Sequence, residues 1–65
     1  MTIDASEAGA RYAYWNANQD PMDAFYEWEN AELTFAEVPV LSDSDFRRLQ
    51  RDFIASYKAT ARRSA

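Results

Sequence analysis

Residues 32–41 read ELTFAEVPVL, and the periodicity assigned to them decides whether the chain contains a sheet. Leu33 with Phe35, then Val38 with Val40, alternate at period two with β-branched content, and Ala36 and Glu37 offer a tight connection between them. This pattern predicts two short strands. Pro39 has no N–H for a ladder, so the second strand is expected at a sheet edge or paired over only a few residues. A different hairpin, pairing AFYEW (24–28) with ELTFAEV (32–38) around Glu29 and Asn30, fits the residues equally well.

Helices are expected on both sides of this segment. Asp4 is placed to cap a first helix, with Glu7 three residues on completing a capping box. Ala8, Tyr12, Trp15 and Gln19 then form a helical stripe running to about Asn18. Asp20 as N-cap, Pro21 at the first helical position and Asp23 in the first turn start a second, short helix reaching about Asn30. Leu41 and Phe46 as a hydrophobic staple, with Ser42 and Asp45 as a capping box, open a long last helix. Its apolar positions Phe46, Leu49, Phe53 and Tyr57 fall within about 80° of arc, and Arg47, Arg51, Lys58 and Arg62 fall within about 60° on nearly the opposite side. The expected fold class is therefore α+β: one compact domain over residues 1–65, with an N-terminal helix, a short second helix, a small antiparallel sheet or hairpin, and a long C-terminal helix.

At 65 residues, with no cysteine and no histidine, the chain lacks disulfides and the usual zinc ligands, so packing must stabilise it. Ten aromatic side chains are available, each able to bury on the order of 150–250 Å². The opening MTIDASEAGA lacks the basic start and apolar run of a secretory signal, and no window reaches the roughly 20 apolar residues of a membrane span. The expectation is a cytoplasmic protein.

Charge is distributed unevenly along the chain. Residues 1–45 hold ten acids against one base, Arg11, whereas residues 46–65 hold six bases against Asp52. Within residues 20–37, DPMDAFYEWENAELTFAE, six carboxylates and four aromatic rings occur with no lysine or arginine. On a helix Asp20, Asp23 and Glu27 project within about 60° of one another, and Asp23 with Glu27 is a like-charge i, i+4 pair costing about 0.2–0.5 kcal/mol. Carboxylates about 6 Å apart along a helix resemble a row of backbone phosphates.

Without histidine or a nucleophile paired to a base, and with little room for a cleft, the residues argue against an enzyme. No glycine-rich phosphate loop is present, and Asp43–Asp45 lacks the glycine and glutamate of a calcium loop, so no cofactor and no metal are expected. The remaining readings are an acidic binding module that meets a basic surface, and a small nucleic-acid-binding or antitoxin-like protein acting through the basic C-terminal helix. Net charge of −4 and the lack of a turn and second reading helix speak against direct nucleic-acid binding.

DASEAGARYAYWNANQDPMDAFYEWENAELTF (4–35) followed by SDSDFRRLQRDFIASYKATARR (42–63) resembles small phage or mobile-element anti-CRISPR proteins of the type I-C group. The resemblance rests on size, acidity and overall sequence, since these proteins share no diagnostic motif. It implies a stoichiometric, monomeric inhibitor in the bacterial host cytoplasm that binds a type I CRISPR surveillance complex and keeps target DNA from its basic channel. In that setting Asp20, Asp23, Glu27, Glu29, Glu32 and Glu37 become decoys for phosphate, with Trp28 and Tyr26 supplying apolar contact. The basic last helix departs from a wholly acidic mimic.

Overall fold

The computed structural model describes residues 4–33 and 42–64. Among them every regular element is helical: α1 (Ala5–Trp15), α2 (Pro21–Trp28), a π-helical turn (Glu29–Leu33) that continues α2, and α3 (Asp43–Ser64).

Each helix starts at the cap its sequence indicates. Asp4 Oδ1 accepts from the Glu7 N–H at 3.0 Å. Asp20 Oδ1 accepts from the Met22 N–H at 2.8 Å, with Pro21 occupying the first position, where a missing N–H costs nothing. Ser42 Oγ accepts from the Asp45 N–H at 3.2 Å, and its carbonyl accepts from Phe46. α1 stops at Asn16, whose backbone is extended (φ −153°, ψ 92°) and whose side chain accepts from the Asn18 N–H.

The expected α+β architecture is incorrect: the domain is all-helical over the described residues. Leu33, expected in the first strand, closes the π turn, and the pairing of residues 24–28 with 32–38 is excluded because 24–28 lie inside α2. The other residues assigned to strands, including Phe35, Val38 and Val40, lie outside the described residues. The physical reason is that a capped helix already anchored by Phe25 and Trp28 extends at the cost of one residue per hydrogen bond, whereas a hairpin needs a new nucleus. The Glu29 N–H is shared between the Phe25 and Tyr26 carbonyls, four and three residues back, a bifurcated bond of the kind common at helix ends, and the π turn follows directly.

The core is built from Ala5, Ala8 and Ala13 of α1, Ala24, Phe25 and Trp28 of α2, and Phe53 and Tyr57 of α3. Phe53 is its hub. Trp28 stacks on it at 5.4 Å, and Phe25 and Tyr12 meet it edge-on or tilted at 5.6 and 5.7 Å. Phe46 extends the cluster against Phe25 at 5.6 Å. Burying each such ring stabilises by about 1.5–3 kcal/mol relative to exposure, and a well-oriented ring pair adds about 0.5–1.5 kcal/mol.

The face that α1 buries also differs from the expected stripe of Ala8, Tyr12, Trp15 and Gln19. Its buried positions are Ala5, Ala8, Gly9 and Ala13; Tyr12 is half-buried, Trp15 is 65% exposed, and Gln19 lies beyond the helix. Close backbone approach explains the choice of small residues. A Cβ at Gly9 would overlap the Phe53 carbonyl oxygen and lie 3.1 Å from the Tyr57 nitrogen, so α1 and α3 pack nearer than any side chain there would allow. The Ser56 hydroxyl, donating to the Ser6 carbonyl, is a further tie across the same contact.

Candidate partner-binding face

α2 turns Ala24, Phe25 and Trp28 inward, which places Asp20, Asp23, Tyr26 and Glu27 on its exposed side. Their roles differ. Asp20 uses one carboxylate oxygen for the helix cap, and Glu27 Oε1 accepts from Gln19 Nε2 at 2.8 Å. Asp23, in the first turn, has no partner among the described residues and is held near the positive end of the helix dipole.

The other expected contacts are arranged differently. Glu29 and Glu32 sit on the π turn rather than on the α2 face, and Glu32 is ion-paired with Arg11 Nη2 of α1 at 2.6 Å. Glu37 lies outside the described residues. Trp28, expected to contact a partner, is only 3% exposed and is held between Phe25 and Phe53.

The exposed indole belongs instead to Trp15, at the end of α1. Its ring lies 5.6 Å from that of Tyr12, and the Arg11 guanidinium carbon lies 5.6 Å from its centroid. Arg11 thus joins Trp15, Tyr12 and Glu32 into one cluster bridging α1 and the π turn. Burial pushes the Tyr12 phenol above its usual pKa of 10.0; Glu32 and Glu27 add to the rise and Arg11 opposes it. Tyr14 is 81% exposed and Tyr26 48%.

Sequence reasoning missed Trp15 because large apolar residues were assigned to the α1 stripe. The available signal was the arc of Ala5, Ala8, Gly9 and Ala13: on a helical wheel its centre lies about 90° from Trp15, too far for the indole to share the buried face.

Arg47, Arg48, Arg51, Lys58, Arg62 and Arg63 of α3 are all exposed. Arg51 lies 3.9 Å from Asp52 on the same helix, a contact too open to solvent to count for much. Among the described residues no ion pair joins Asp20, Asp23 or Glu27 to a cation of α3. Among the described residues no group of three or more carboxylates converges in the manner of a metal site, and no helix is long and apolar enough to cross a membrane.

No family model, no curated protein and no solved structure matches this chain.

Proposed function

We propose that this protein is a stoichiometric inhibitor of the anti-CRISPR kind, which lays the carboxylate face of α2 against the basic nucleic-acid-binding groove of a type I surveillance complex and excludes target DNA by imitating its phosphates. One observation carries this reading: Asp20, Asp23 and Glu27 stand on the outer side of α2 and are not neutralised by the cations of α3. Keeping Asp23 and Glu27 one turn apart opposes helix formation slightly, by about 0.2–0.5 kcal/mol, which a complementary positive groove would more than offset on binding. The acidic face speeds encounter, and the exposed Trp15 beside Tyr12 and Arg11 supplies the apolar anchor that slows release.

The test is competition for the complex. Purified surveillance complex is loaded with the protein and challenged with target DNA in an electrophoretic shift assay. The wild-type protein is expected to prevent formation of the slow band of the DNA-bound complex, which is distinguished by its size from any band of the small protein on DNA, and to do so less well as salt rises. The double variant Asp23→Lys, Glu27→Lys should lose inhibition while keeping its helical circular dichroism. Full inhibition by that variant would overturn the assignment of the α2 face.

A further inference from the structure

The six cations of α3 face solvent, and the Arg11–Glu32 ion pair that reaches the acidic π turn comes from α1. Four of them form a line. Arg47, Arg51, Lys58 and Arg62 occupy about 60° of the helix surface and extend over about 22 Å of its length at 1.5 Å per residue. Among the described residues only Ser44 shares that arc; exposed Ala55 and half-buried Ile54 flank it about 20° to either side, and no carboxylate lies within it. Asp52 lies toward the core-facing edge of the helix, and Asp43 and Asp45 lie in its first turn, on either side of the line. At the N-terminal end, Asp43, Ser44, Arg47, Arg48 and Arg51 line a shallow depression.

We infer that this line is a second binding surface, which takes the sugar-phosphate backbone of a nucleic acid. Charge complementarity selects the occupant: two pairs of cations on one rigid helix, Arg47 with Arg51 and Lys58 with Arg62, each about 6 Å apart along the axis and separated from one another by about 10 Å, face a polyanion that carries charge all along its strand. Arginine dominates the line, and its guanidinium forms paired hydrogen bonds to phosphate. Ser44 and Ala55 leave space for the strand to lie close to the helix. No base-reading element accompanies the line, so binding is independent of sequence. This inference does not depend on the α2 reading, because the two surfaces share no residue.

The experiment is fluorescence anisotropy of the full chain with labelled single-stranded DNA, single-stranded RNA and duplex DNA of equal length. Four phosphate contacts predict a log–log salt slope of about −3, so affinity should fall about 10³-fold between about 20 mM and about 200 mM salt. The arm with the highest affinity identifies the strand form. The variant Arg47→Gln, Arg51→Gln, Arg62→Gln should reduce the slope to about −1, and Lys58→Gln alone should reduce its magnitude by about 1. Asp23→Lys, Glu27→Lys should bind at least as well as the wild-type protein, which separates this surface from the α2 face. Absence of binding at low salt, an unchanged slope in the triple variant, or equal competition by polyglutamate would each overturn the inference.

Discussion

At position 9 the backbones of α1 and α3 meet without an intervening side chain, so the residue there controls how closely the two helices pack. In an exposed helix, glycine to alanine stabilises by up to about 1 kcal/mol through propensity. Here the added methyl meets the Phe53 carbonyl and the Tyr57 nitrogen, which are backbone atoms and cannot rotate aside. Overpacking of this kind costs about 1–3 kcal/mol, so the steric effect exceeds the propensity gain. Gly9→Ala should therefore lower the urea midpoint, and Ala10→Gly, on the half-buried neighbouring position, should lower it by no more than the propensity difference. A midpoint for Gly9→Ala at or above that of the wild type would show that the helices separate without cost. The same close approach explains why alanines, and not the larger rings of α1, make up its buried face.

The three helices are joined by few polar ties, and the Tyr57 hydroxyl is the most connected of them. Buried in α3, it donates to the carbonyl of Asn16 or of Gln19, 3.0 Å away, and accepts from the Gln19 N–H at 3.1 Å, so it secures the turn between α1 and α2. Tyr57→Phe keeps the ring on Phe53 but leaves those backbone groups without their partner, which costs about 1–3 kcal/mol. Thermal unfolding of that variant checks the value, and a loss below a few tenths of a kcal/mol would mean that solvent replaces the hydroxyl. This tie links residues 38 and 41 positions apart and has no local signature, so it was not legible in the sequence. Helix starts were legible, because the bonds of Asp4, Asp20 and Ser42 span two or three residues. The α3 face was also read correctly at Phe53 and Tyr57, with Phe46 and Leu49 packed at its margin. The strand assignment failed at Leu33 because a short alternation carries less weight than a helix already anchored upstream. In the candidate site, the exposed positions of Asp20, Asp23 and Glu27 were legible from helical geometry, whereas the Arg11–Glu32 pair was not, since it depends on how α1 meets the π turn.

Over the whole molecule, one tryptophan is buried and the other exposed, and on the proposed function the first would stabilise the fold while the second meets the partner, a division that can be measured. A chain of this size is stabilised in total by about 3–10 kcal/mol, at about 0.05–0.15 kcal/mol per residue. Trp28 is enclosed by Phe25 and Phe53, and replacing a buried ring of this size by alanine costs about 3–5 kcal/mol. Trp28→Ala should consequently unfold much of the population at room temperature. Trp15 is 65% exposed and touches Tyr12 and Arg11 at the surface, so Trp15→Ala should change stability by about 0.5 kcal/mol or less. Its effect should appear in binding, as a faster release from the surveillance complex in the competition assay. Fluorescence separates the two sites: emission from Trp28 is expected to be blue-shifted and to report unfolding, while emission from Trp15 is red-shifted and should shift to the blue when a partner covers it. Collapse of the fold in Trp15→Ala, or an unaltered release rate in that variant, would remove Trp15 from the binding face and leave the α2 carboxylates without an apolar anchor.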